Sequence, residues 1–276
     1  MMILRTTVAR TARRMTTLGL AAATILAAPA AAQISVSPID FTLNPAGPRV
    51  GAFAVTNDSH DPQQLTLYAN DWDRDAGGGN RFYPLGTLPA SCRSRIQIFP
   101  QSVRVAPGAS ESIRISMLPG DSTQSACWTI VFAETAPAAI HAGSRIAFVT
   151  RLGVKVYVTP GSATLDATID SMAVARHVSE QGISTADSAA TQDVVALLHN
   201  TGGAPLIAKG SVEFRTLDNR SVAKVTIDDT PVLPGALRRV RVPVPTTLAS
   251  GHYIALVVLG FGGADDVAGQ VEVSVP

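Results

Sequence analysis

From Gln33 onward the chain alternates apolar and polar residues in short runs bounded by Gly, Pro, Asn, Asp and Ser. Val50-Gly51-Ala52-Phe53-Ala54-Val55, Gln64-Leu65-Thr66-Leu67-Tyr68 and Ser112-Ile113-Arg114-Ile115-Ser116-Met117 are three of them. A period of two sends alternate side chains to opposite faces of a strand, and the turn residues close each strand. Almost nothing in this stretch carries a helical period, so the pattern predicts an all-β chain of sandwich type. The run from Arg145 to Val158 exceeds the usual strand of about five or six residues. It stops at Thr159-Pro160-Gly161, where proline cannot join a ladder and Pro-Gly favours a turn. That break divides the chain into two Ig-like β-sandwich domains, 33–158 and 162–276. In the second half, Arg176 to Gln192 is polar, lacks an apolar period and reads as a loop.

An internal repeat fits two similar domains. Val105-Ala106-Pro107-Gly108-Ala109 precedes Ile113-Arg114-Ile115, and Val232-Leu233-Pro234-Gly235-Ala236 precedes Val240-Arg241-Val242, with the same spacing from Pro to Arg. Upstream, each half has an apolar strand ending in Asn, at Asn57 and Asn200. Downstream, each has an aromatic-bearing strand, Trp128-Thr129-Ile130-Val131-Phe132 and Tyr253-Ile254-Ala255-Leu256-Val257. The order of three matching elements points to a duplicated topology; the alternative is chance among β-rich turns.

The first 32 residues stand apart. Arg5, Arg10, Arg13 and Arg14 precede an Ala- and Leu-rich run ending in Ala30-Ala31-Ala32, and no acid occurs among them. This is the pattern of a cleaved signal peptide, the alternative being an uncleaved anchor. The 276 residues less these 32 leave 244, and the 22 basic residues less these four leave 18 against 21 acids, a net charge of −3. No later stretch is apolar for long enough to span a bilayer, so the mature chain is expected to lack a membrane span and to be soluble outside the cytoplasm. The near-neutral whole-chain charge (+1) argues against nucleic acid as a partner. In an oxidising compartment Cys92 and Cys127, the two cysteines of the chain, are candidates for a disulfide; two buried free thiols are the alternative.

Candidate chemistry is sparse. His60, His141, His177, His199 and His252 are scattered and never at ligand spacing, and neither cysteine has a Cys-x-x-Cys context. Asp71, Asp73 and Asp75 mimic the start of a calcium loop, but Ala76 stands where its Gly belongs and Phe82 where its bidentate Glu belongs. They read instead as a polar hairpin tip with glycines. The Asp228-Asp229 and Asp265-Asp266 pairs lie in turn-like settings, where adjacent carboxylates diverge. No enzyme activity, metal or cofactor is expected. The long run is the exception to this blandness. Ile146, Phe148 and Leu152 fall on one face and Ala147, Val149 and Arg151 on the other, so it can act as a sheet edge that pairs with a partner.

Several first-domain motifs together resemble the PapD-like periplasmic chaperones of chaperone–usher pilus assembly. They are the strand ending Thr56-Asn57-Asp58-Ser59, Phe99-Pro100-Gln101-Ser102-Val103-Arg104-Val105-Ala106-Pro107-Gly108, Ser112-Ile113-Arg114-Ile115, Trp128 to Phe132, and the long strand closing at Tyr157-Val158-Thr159-Pro160. The resemblance covers about half the mature chain, roughly residues 34–160. It implies donor-strand complementation, in which the chaperone lends a strand to a pilin-like subunit that lacks one, for delivery to an outer-membrane usher. It further implies donor side chains at Ile146, Phe148, Thr150 and Leu152, and Lys155 as an anchor for the subunit's C-terminal carboxylate. The family's second anchor, an arginine, falls near Phe41, where this chain has no basic residue; Arg49 and Arg151 are the candidates to compensate. The competing expectation is a structural or adhesive two-domain Ig-like exported protein without chaperone activity.

Overall fold

The structure is a computed structural model, and it describes residues 34–119, 125–139, 147–177 and 191–276. The expected signal peptide 1–32, the donor candidate Ile146 and residues 178–190 of the polar stretch lie outside the described residues.

Every regular element described is a β-strand. The first twelve are β1 Ile34–Ser37, β2 Asp40–Leu43, β3 Val50–Asn57, β4 Gln63–Arg74, β5 Asn80–Pro84, β6 Ile96–Phe99, β7 Ser102–Val105, β8 Ser110–Met117, β9 Cys127–Thr135, β10 Ala138–Ala139, β11 Ala147–Phe148 and β12 Arg151–Val158. They form one sheet ordered β1-β3-β8-β6 and a second ordered β2-β12-β9-β4-β5, with β7 also on β4 and a short β10–β11 ribbon. The remaining seven are β13 Ala167–Arg176, β14 Gln192–Asn200, β15 Leu206–Thr216, β16 Ser221–Val232, β17 Leu237–Pro243, β18 Gly251–Gly260 and β19 Val267–Val275. They build a β13-β14-β17 sheet and a β16-β15-β18-β19 sheet.

Alternation sets the cores. Leu65 and Leu67 of β4, Ile113 and Ile115 of β8, and Val154, Val156 and Val158 of β12 turn inward to one buried cluster. Val194, Ala196 and Leu198 of β14, Val212 and Phe214 of β15, and Ala255, Val257 and Leu259 of β18 fill another. Burying each such Val, Leu, Ile or Phe side chain is worth about 1.5–3 kcal/mol.

The internal repeat has a structural counterpart at one corner of each sandwich. Asn57 and Asn200 are both fully buried at the end of a strand. The amide of Asn57 donates to Ala109 while its carbonyl accepts from Gly108, and Asn200 does the same with Ala236 and Gly235. The Asn57 side-chain amide donates to the carbonyls of Asp61 and Val105, that of Asn200 to those of Ala204 and Val232. Gly108 and Gly235 hold φ of 68° and 71°, a left-handed turn that favours glycine.

The two cysteines are joined, Cys92 to Cys127, tying the loop before β6 to the start of β9. The Asp71-Asp73-Asp75 series serves a hairpin. Asp71 accepts from the amides of Gly86 and Leu88 and from the Ser91 hydroxyl. Asp73 pairs with Arg81, and Asp75 accepts from Gly79 at the β4–β5 tip.

Two outcomes check this packing. Reducing the disulfide, which closes a separation of 35 residues, should lower stability by about 3–4 kcal/mol in denaturant titrations with and without reductant. Asn200→Leu, which removes the donor to Ala204 and Val232, should cost about 1–3 kcal/mol in the same assay.

Candidate functional site

The long run that the sequence presents as one strand is two. The ladder stops at Val149-Thr150, because Thr135 at the end of β9 takes up the backbone of Thr150. Thr135 donates its amide to the Thr150 carbonyl, and the Thr150 amide donates to the Thr135 hydroxyl. Before this joint, Phe148 lies in the β10–β11 ribbon opposite Ala138 and is 65% exposed. Val149 is also exposed. After it, Leu152 packs against the first sandwich's own core, so its side chain already serves this protein.

Nor is β12 a bare edge along its length. One side pairs with β9 throughout, from Arg151↔Glu134 to Val158↔Cys127. On the other side β2 runs parallel to it from Lys155↔Asp40 to Val158↔Leu43. Among the described strands nothing pairs with Arg151–Val154 on that side. Lys155 and Thr159 donate their amides toward β2, to Ile39 and Leu43. Backbone groups of a strand alternate sides, so Arg151 and Gly153 turn theirs to the open stretch. The geometry comes from β1 and β2. β1 belongs to the opposite sheet, and the chain crosses over at Ser37-Pro38 before β2 starts beside Lys155.

Where the open edge ends, cations gather on the outer face. Lys155 Nζ lies 5.0 Å from the centre of the Trp72 ring, and Arg74 Cζ lies 5.6 Å from it. Trp72 is 1% exposed, and its indole N–H has no acceptor among the described residues. Tyr157 meets the indole edge-on at 6.2 Å. Burial holds the Lys155 ammonium below the ordinary lysine range; the Arg74 charge adds to this, and Asp40 opposes it. Burial likewise pushes the Tyr157 hydroxyl up to about 12, with Asp40 adding and Arg74 opposing.

The second sandwich closes this face. Leu233 is buried with Trp72, Ile130 and Phe132, and Ala236 packs against them. Arg74 donates from Nε to the Asn80 side chain and from Nη1 to the Pro231 carbonyl, so it bridges the two halves. The hairpin tip is fastened as well: the Arg239 amide and the Arg238 guanidinium both donate to the Ala76 carbonyl. Between them lies a cleft of about 480 Å³ lined by Arg74, Arg81, Trp128, Leu233 and Leu237.

The two arginines expected to assist Lys155 are occupied elsewhere. Arg49 donates to the carbonyls of Pro45 and Leu118. Arg151 shares the outer face with Lys155 but lies over the Phe132 ring at 4.8 Å, its Nη1 3.5 Å from the Tyr68 hydroxyl. Arg74, which sequence reasoning missed, is the cation beside Lys155. Its only sequence signal is the spacing Tyr68, Trp72, Arg74 on one face of a strand. That signal becomes informative once register places Asn70, Ile130 and Lys155 in one row across three strands.

Among the described residues no helix is long and apolar enough to cross a membrane. No family model and no curated protein matches the sequence. Among solved structures, a chain of the chaperone–tip adhesin complex of CFA/I fimbriae biogenesis aligns with a TM-score of 0.50 and 15% identity, over 88% of this chain and 100% of that one. The class 5 fimbriae chaperone CfaA aligns at 0.49 and 14% over 88% and 99%. A chain of the CsuC–CsuE chaperone–tip adhesion subunit complex of Acinetobacter baumannii aligns at 0.43 and 11% over 75% and 89%. The first of these likenesses shows a shared all-β fold.

Lys155 itself yields a prediction. Its charged form is disfavoured in the fold, so the folded protein releases this proton at lower pH than the unfolded chain does. The residue therefore costs stability at neutral pH, and the cost fades as pH rises through the lowered folded value to the ordinary lysine value. Lys155→Met should raise the thermal midpoint at neutral pH, with the gap narrowing as pH climbs into the lysine range.

Proposed function

We propose that this protein is a periplasmic chaperone of pilus or fimbria assembly that holds pilin-like subunits by donor-strand complementation. The observation that carries the reading is the edge of Arg151–Val154, unpaired among the described residues, ending at the Lys155–Arg74 cation pair. An added strand would satisfy the open backbone groups of Arg151 and Gly153 and could not extend past Lys155, where β2 already sits. Charge sets its direction. A chain terminus at that point meets two cations, which favours a carboxylate over an ammonium. The partner's C-terminus then lies beside Lys155, and its strand runs parallel to β12.

On this reading Lys155 and Arg74 anchor the carboxylate, and the buried Trp72 N–H nearby lacks an acceptor among the described residues. Ile146, Phe148 and Thr150 are the donor residues, with exposed Phe148 the largest apolar group among them described. Leu152 contributes by holding β12 to its core. The sandwiches 33–158 and 162–276 act as two domains whose junction forms the anchor cleft, and delivery to an outer-membrane usher follows from the same reading. Binding needs no cofactor and no catalytic step, since burial of the subunit's groove and strand hydrogen bonds supply the free energy. Residues 1–32 are the export signal.

Co-expression with a pilin-like subunit encoded beside the gene should give a stoichiometric periplasmic complex on affinity capture. Lys155→Ala, Arg74→Ala and Phe148→Glu should each lower its yield at least about tenfold, equivalent to about 1.4 kcal/mol. Undiminished capture by all three variants would refute donor-strand binding and favour an Ig-like structural protein.

A further inference from the structure

Asp40 is the first residue of β2 and stands level with Lys155 across the parallel pairing. Their side chains leave the same face of strands spaced about 4.8 Å apart. Asp40 is exposed, whereas Lys155 is partly buried against the Trp72 ring with Arg74 close by. The indole thus has two cations over it and Tyr157 against its edge, and one acid stands level with Lys155 on the neighbouring strand. Asp40 acts on the electrostatics of both neighbours, favouring the charged ammonium of Lys155 and disfavouring ionisation of Tyr157.

We propose that Asp40 is a resident anion level with Lys155 that competes with a partner's terminal carboxylate for the two cations, so that it tunes release of the partner. The inference rests on the carboxylate-anchor reading above. In the free protein Asp40 offsets the mutual repulsion of the two cations. In the complex a second carboxylate shares those cations with Asp40 and is repelled by it. The residue therefore stabilises the free protein and weakens binding. A purely structural residue would do neither in this combination, because its loss would weaken fold and binding together.

The test uses the full protein, labelled for amide-shift titration, and one synthetic peptide of alternating apolar residues made as the free acid and as the C-terminal amide. Asp40→Asn is expected to bind the free acid about three- to tenfold more tightly than wild type, to bind the amide unchanged, and to melt at a lower temperature. If the wild type binds acid and amide alike, the carboxylate anchor fails and this inference fails with it. If the wild type prefers the acid but Asp40→Asn binds it no more tightly, the anchor stands and the resident-anion role is overturned.

Discussion

A strand paired on both sides for half its length and on one side for the rest is the constraint on which this structure turns. β12 is held by β9 from end to end, but β2 reaches only from Val158 back to Lys155. The shortfall arises because the first stretch of chain is divided between two sheets. β1 completes the sheet of β3, β8 and β6, and only four residues of β2 remain for β12. Among the described residues, the backbone groups of Arg151 and Gly153 are consequently left facing an open edge. Such an edge invites pairing by any extended chain, so a protein that keeps one must cover it or use it.

The charges give that edge a polarity. Lys155 and Arg74 lie where β2 begins, on an indole held by Ile130, Phe132 and Leu233. Neither cation belongs to the core of a sandwich, and Arg74 touches both halves of the chain. The β4–β5 hairpin therefore does more than lengthen a sheet. It carries Arg74 on its shaft, and its tip takes hydrogen bonds from Arg238 and Arg239. Edge, cation pair and cleft depend on one another, because the hairpin that contacts the second sandwich also positions the cation beside Lys155.

What the sequence revealed followed the range of the interactions involved. Alternation and turn chemistry are local, so the all-β fold and the paired Asn and Pro-Gly corners were readable. With only two cysteines, Cys92 and Cys127 had one possible intramolecular pairing. The joint in the long run was not readable, since Val149 and Thr150 are good strand formers and the group that captures Thr150 is Thr135 on another strand. Arg74 was hidden for a similar reason: its position beside Lys155 is set by the register of β4 on β9 and of β9 on β12. Arg49 and Arg151 looked available by charge alone, until their partners among carbonyls, Phe132 and Tyr68 were in place.

Amide hydrogen exchange at three neighbouring positions, measured with and without a bound pilin-like subunit, tests the central claim most directly. Lys155 donates to Ile39 and should be protected in both states. Arg151 and Gly153 should exchange quickly in the free protein and become protected in the complex. Protection of Arg151 and Gly153 in the free protein, or fast exchange of both in the complex, would contradict the account of β12 as a donor edge.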